Sequence, residues 1–288
     1  MFAPHHHAAA SAVVALLTQC LVSVFSITSG PRVVEAFSAL GACAAVTASY
    51  LMGENRMSDV HFGRRGVSTM LLFSWSARLG AHLWLRNRPP RVPATALAFS
   101  RALWSAGAAL PVVLLVASPQ ASDDMSVSAS SLAAACAAAI ALEAFADADK
   151  MAWHADPPKD GSPILCRRAW AWSRHPNLFG ECAVHASLCA LASPGTAMAW
   201  LPRSVTLAMV THVLFTPYGP FVSLERAKAV IYASDQAYNQ YVQNTSPFIP
   251  IPAWVWANTS SHLKTCLLER QDWARNAGAA LLVAATAV

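Results

Sequence analysis

Residues 170–181 read Trp170-Ala171-Trp172-Ser173-Arg174-His175-Pro176-Asn177-Leu178-Phe179-Gly180-Glu181, and this stretch decides how the chain is read. It gathers two Trp, an Arg, a His, an Asn and a Glu in a chain that is only 12% charged. It falls between long apolar segments, where hydrocarbon should give way to water. Pro176 suits the first position of a helix, because the N–H it lacks would have no partner there anyway. That start puts His175 at the N-cap and sets Asn177 and Glu181 one turn apart on one face. A helix N-terminus offers free N–H groups and a partial positive charge, a setting for an anion. Arg174 stands beside it.

Outward from this stretch the chain is greasy. Its 288 residues are 55% hydrophobic, with a mean hydropathy of +0.39. Soluble domains are about one quarter charged, so half that value points to a membrane. We expect an all-α fold: one integral-membrane domain over residues 1–288, a bundle of about seven transmembrane helices with a cytoplasmic C-terminal tail. The spans fall near 10–29, 33–52, 67–85, 102–118, 127–146, 178–193 and 197–216, against roughly 20 residues needed to cross. The last two pair as a hairpin turning at Ser193-Pro194-Gly195.

Loop charge sets the orientation. Arg86, Arg88, Arg91 and Arg101 crowd one loop, and Lys150, Lys159, Arg167, Arg168 and Arg174 another, while the loop between them carries Asp123 and Asp124. The positive-inside rule makes the two basic loops cytoplasmic, with the C-terminal tail on the same side. Arg56, Arg64 and Arg65 run against this assignment. The apolar run 277–288 is too short to span and is expected to dock at the interface. An endoplasmic-reticulum membrane is compatible with this topology.

The net charge of +5 is scattered in these short loops, which favours topology determinants over a nucleic-acid surface. The seven Cys form no Cys-x-x-Cys pair and read as small packing residues. We expect no metal site, and give the His5-His6-His7 run no function.

Polar residues near hydrocarbon are costly and often functional. Glu143, Asp147 and Lys150 share a helix face at i, i+4 and i+7. They read either as acceptors for ligand hydroxyl and amide donors or as an interfacial cap with Lys150 snorkelling. Three arginines, Arg167, Arg168 and Arg174, converge on the start of the next helix and suggest phosphate, while Lys159 reads as ordinary loop charge. No Gly-x-Gly-x-x-Gly occurs, which excludes a Rossmann nucleotide site. In the third span Trp75, Arg78 and His82 share a face, with Arg78 pointing to an interior cavity or snorkelling. Tyr50, Glu54 and Asp59 are the acid and phenol candidates of the first half. Glu225, directly after the seventh span, could close a site.

Together these residues resemble the steroid 5α-reductase superfamily, in its membrane branch of domain-of-unknown-function, reductase-like proteins related to isoprenylcysteine carboxyl methyltransferases. The resemblance rests on Glu143-x-x-x-Asp147-x-x-Lys150, Trp172 through Glu181, Ser223-Leu224-Glu225, and Tyr238-x-x-Tyr241 through Phe248-Ile249-Pro250, with Asp59 and Trp75-x-x-Arg78 as weaker matches. A family-like core of about residues 59–252 follows.

The resemblance implies NADPH in a cytosol-facing cavity of a seven-helix bundle, reducing the C=C bond of a lipid or steroid-like enone. Asp147, Asn177 and Glu181 match cofactor-contacting positions, and Glu143 a polar neighbour. Lys150, His175 and Glu225 join this cofactor set, with Arg168 and Arg174 as phosphate candidates. The superfamily's Glu–Tyr acid pair has no matching motif here, which leaves Tyr50 and Glu54 as the candidate catalytic acids. Two other readings follow in rank: an S-adenosylmethionine-dependent methyltransferase of the isoprenylcysteine type, and a non-enzymatic lipid-binding membrane protein.

Overall fold

A computed structural model describes residues 39–52, 63–86, 94–118, 123–157, 164–192, 200–215 and 219–266, with isolated positions 13, 14, 17, 33 and 37. All but three positions of the first expected span, together with Glu54, Asp59, Lys159, the turn at 193–195 and the run 277–288, lie outside the described residues.

The described chain is helical. Its helices are α1 (Leu40–Met52), α2 (Arg64–Leu85), α3 (Ala94–Ala117), α4 (Val127–Ala155), α5 (Pro176–Ala192), α6 (Trp200–Phe215), α7 (Pro220–Ile231), α8 (Gln236–Asn244), α9 (Ala253–Ala257) and α10 (Ser261–Cys266), with a 3-10 turn at Arg168–Ala171. No strand is present among the described residues, beyond one parallel bridge between Ser173 and Ser246. The all-α expectation holds.

The count of spans is coarser than expected. Among the described residues only α4 is both long and apolar enough to cross a membrane by itself. Helix α2 has 22 residues but holds Arg64, Arg65 and Arg78. The apolar part of α3 is Leu103–Ala117. Helices α5 and α6 have 17 and 16 residues, about 25 Å of rise against a hydrocarbon core of roughly 30 Å. Helix α4 runs past the expected end at residue 146 to Ala155, so Glu143, Asp147 and Lys150 stand on one unbroken helix.

The chain divides into two compact units, Met1–Ile140 with Ala183–Met209, and Ala141–Cys182 with Val210–Val288. In the first, Val46, Leu72, Trp75, Val112, Leu115 and Leu188 form a close-packed core drawn from α1, α2, α3 and α5.

Polar groups in this first unit close helix ends. The Asp123 carbonyl accepts from Arg64 N at 2.9 Å, and its carboxylate accepts from Arg65 N at 2.7 Å. Two of the first free N–H groups of α2 are thereby satisfied by an anion that also suits the helix dipole. The arginine side chains serve opposite ends. Arg65 donates to Ser118 O at 2.8 Å and Leu115 O at 3.4 Å, and Arg64 donates to Leu191 O, capping the last carbonyls of α3 and α5. Of the three arginines that run against the loop-charge orientation, Arg64 and Arg65 are thus bound to helix ends, and Arg56 lies outside the described residues. Gly63 permits this approach, since a Cβ there would stand 2.9 Å from the Asp123 carbonyl oxygen and closer still to its carboxylate. Asp123→Ala is expected to cost about 1–2 kcal/mol, measured as a lower thermal unfolding midpoint in detergent. An unchanged midpoint would show that the cap carries no weight.

Candidate functional site

The second unit carries the stretch 170–181. Its backbone is zipped to the tail segment 246–251. Arg174 N donates to Ser246 O at 2.8 Å and Ile251 N to Trp172 O at 3.0 Å, while the Ser173 hydroxyl donates to Phe248 O at 2.7 Å and accepts from His175 N at 3.1 Å. Tyr241 OH donates to Trp170 O at 2.6 Å, and burial pushes its phenol pKa up. Phe248 sits edge-on to Phe179 and Phe221, and Phe221 edge-on to His175. The Ser-Arg-His-Pro and Phe-Ile-Pro motifs, far apart in sequence, are therefore one piece of structure.

Helix α5 begins at Pro176 with His175 just before it. Beside it lies a buried charge cluster. Arg174 Nη1 meets Glu225 Oε2 at 2.9 Å, and His175 Nε2 meets Glu225 Oε1 at 2.7 Å; the Arg174 and Glu225 side chains are 3% and 5% exposed. Burial by itself would raise the Glu225 carboxyl, but Arg174 and the His175 hydrogen bond outweigh it and bring the pKa down to about 2. Burial, with Lys228 adding to it, lowers His175 to about 4 against the pull of Glu225. At neutral pH the imidazole is therefore neutral and donates Nε2–H to the carboxylate. Half-buried Lys228 is itself brought down to about 8, first by burial and then by Lys150 and Arg174.

A second polar group joins α4 to α5. Asn177 Nδ2 donates to Asp147 Oδ1 at 3.1 Å, and both Glu143 and Asp147 are buried. Glu181, one turn along from Asn177, is half-buried. Trp170 Nε1 donates to Ala146 O at 3.1 Å, and Lys150 Nζ lies 5.5 Å over the Trp170 ring. Arg168 pairs with Asp149, yet its side chain is 76% exposed. Its φ of 54° puts a non-glycine residue in the left-handed region at the start of the 3-10 turn, a conformation that costs free energy and turns the chain sharply.

Of the expected cofactor residues, Glu143, Asp147, Lys150, Arg168, Arg174, His175, Asn177, Glu181 and Glu225 all fall in this unit. Tyr50 belongs to the other, where its hydroxyl meets Thr69 Oγ1 at 3.2 Å in the core. The positions are not equivalent chemically. The Arg174 charge is compensated by Glu225, whereas Arg168 and Lys228 keep exposure. Sequence reasoning missed Asp149 as the Arg168 partner and Lys228 as a cation beside Glu225. The acid two residues after Asp147 and the lysine three after Glu225 were the available signals.

As donors and acceptors, the group fits a nucleotide in part. Buried carboxylates on α4 can accept from hydroxyl or amide N–H groups, the Asn177 amide can also donate, and Arg168 with Lys228 can meet an anion. Among the described residues no cluster of His, Cys, Asp and Glu could hold a metal ion.

The profile of the family described as protein of unknown function (DUF1295) matches residues 94–245, just over half the chain, from α3 to the end of α8. No curated protein and no solved structure matches the chain. The chain belongs to the DUF1295 family. The domain-of-unknown-function branch suggested by the motifs is borne out, over a stretch that lies within the expected core of 59–252.

Proposed function

We propose, from that family membership, that the chain is a membrane-embedded, NADPH-dependent reductase of a C=C bond in a lipid or steroid-like enone. About seven spans, with the 143–181 region and the tail on the cytoplasmic side, belong to the same reading. The observation that supports it best is Asn177 held on Asp147, with buried Glu143 one turn away on α4. Two carboxylates on one face of α4 are hydrogen-bond acceptors of the kind that cofactor hydroxyl and amide donors suit.

When bound, NADPH would supply hydride to the β-carbon of the enone. The protein's own part is recognition and placement. Asp147 and Glu143 accept from the cofactor's donors, while Asn177 orients Asp147. Glu181 extends that polar face along α5, and Lys150 reinforces it from α4 over Trp170. Arg168, with Lys228, faces phosphate. His175, Arg174 and Glu225 hold the 173–175 loop in place. Tyr50 and Glu54 stay the candidate acids.

The test is thermal unfolding of the detergent-purified chain with added nucleotide. Stabilisation grows as RT ln(1 + [L]/Kd), about 2.7 kcal/mol at a hundredfold excess over Kd. NADPH is expected to raise the midpoint, and S-adenosylhomocysteine to leave it unchanged. The reverse pattern would select the methyltransferase reading, and no response to either would select non-enzymatic lipid binding.

A further inference from the structure

Helix α2 carries Ala77, Gly80, Ala81, Trp84 and Leu85 at i, i+3, i+4, i+7 and i+8, which places them on one face. With Phe37 and Leu40, before and at the start of α1, this face lines an open groove of about 480 Å³, wholly within the first unit. No lining side chain is polar. The small residues leave the hollow, and the large ones beside it, Phe37, Leu40, Trp84 and Leu85, are all exposed. Along α2 the groove runs roughly 12 Å. Its Leu85 end is basic. Arg86 caps the helix, Arg88 and Arg91 follow in sequence, and no Asp or Glu occurs between Val60 and Ser122. On the Phe37 side, Arg32 and Glu35 cancel. Trp84, in the last turn, is the residue type that collects at headgroup level.

We propose that this groove holds one acyl chain of an anionic phospholipid, with the headgroup at Arg86. The occupant is a bound structural lipid and not a substrate. The lining takes hydrocarbon and offers nothing to a polar ligand, while the basic helix end takes a net negative headgroup; a zwitterionic one brings its own cation to cancel the attraction. Loop charge puts that end of α2 on the cytoplasmic side, the leaflet in which anionic lipids concentrate. A second copy suits the groove less well. Helices in lipid gain nothing from covering an apolar face as such, and a two-fold axis along the membrane normal brings both basic ends to one level, where like charges repel. The site rests on membrane embedding alone and uses none of the nucleotide residues.

The test titrates the full chain in detergent with dioleoyl phosphatidylglycerol, dioleoyl phosphatidylcholine or glycerol phosphate, and reads lipid-bound protein by native mass spectrometry. A chain that stays in solution without detergent would fail the embedding itself, a separate result. Phosphatidylglycerol is expected to be retained about fivefold more tightly than phosphatidylcholine, the worth of one cation at an anionic surface, and glycerol phosphate not to bind in that range. Arg86→Gln should erase most of the preference and Arg86→Lys should keep it. Ala77→Leu with Ala81→Leu fills the groove from exposed positions and should abolish tight retention; if the pair fails to fold, Ala81→Leu alone carries the measurement. Equal retention of the two lipids by the wild type overturns the proposal, as does a preference unchanged in Arg86→Gln or in the leucine variant. Glycerol phosphate binding as tightly as the lipid, or a dimer that the leucine variant dissolves with lipid retention unchanged, also overturns it and assigns the site to a free anion or to a second copy.

Discussion

Glu225→Ala is expected to cost about 3–5 kcal/mol, because it strands a buried guanidinium. Arg174 and Glu225 are almost wholly enclosed and 2.9 Å apart, and His175 donates to the same carboxylate. Removing the acid removes the carboxylate that both meet, at a site where the Arg174 side chain is only 3% exposed. The loss should appear as an unfolding midpoint lower by roughly 10 °C, with early proteolysis of the tail. The double replacement Arg174→Met with Glu225→Leu is the informative companion. Buried ion pairs exchanged for apolar residues of similar volume are often neutral, so the double variant should recover most of the loss. A Glu225→Ala midpoint within a degree of wild type would refute the buried pair.

The same cluster fixes a sign for pH. The Glu225 pKa falls from 4.5 unfolded to about 2 folded, so its contribution is complete above pH 4.5 and lost as pH falls toward 2. The His175 pKa falls from 6.5 to about 4. Between those values the unfolded chain binds a proton that the folded chain refuses, which favours unfolding. Both terms act in one direction. Stability should decline from about pH 6.5 downward; in Glu225→Ala the carboxylate's share, below pH 4.5, is gone, while the share set by His175 above that pH remains.

Parts of this were legible in residue order and parts were not, for physical reasons. The helix faces that carry Asn177 and Asp147 were legible because Pro176 marks a helix start and the i, i+4 spacing of Glu143 and Asp147 marks a helix face; both are local signals, and the bond between the two faces, 30 residues apart, was not legible. Arg174 shows the limit. Beside a helix N-terminus it reads as a phosphate contact, but its charge is met by Glu225, and the companion His175–Glu225 bond joins residues 50 apart. Spacing cannot report a partner that far away. Loop charge has a similar limit at Arg64 and Arg65, whose guanidinium groups cap α5 and α3; counting arginines does not reveal which ones a helix end has claimed. Hydropathy identified apolar segments and placed six of the seven on helices, but it could not show that several are shorter or more polar than a lone span requires. The left-handed Arg168 was invisible, since nothing in an arginine favours positive φ.

Asp147→Ala and Asn177→Ala should each sharply reduce NADPH-dependent stabilisation while leaving the ligand-free chain folded. Asp147 is buried on α4 and accepts from Asn177 at 3.1 Å, so the two side chains act as one unit with a carboxylate acceptor and an amide held at a set angle. Hydrogen bonds to a charged group contribute about 1.5–3 kcal/mol, so losing the carboxylate should weaken nucleotide binding roughly 10- to 100-fold. Asn177→Ala deletes the orienting donor and exposes the pair to the same loss by a different route. Asp147→Asn separates the two causes, since it keeps an acceptor oxygen but loses the charge, and should fall between wild type and Asp147→Ala. Arg168→Ala makes the contrast: loss of its exposed guanidinium should weaken NADPH binding in a salt-dependent manner. If both Asp147→Ala and Asn177→Ala keep full NADPH affinity, the nucleotide does not bind between these helices, and the buried acids of α4 serve the fold instead.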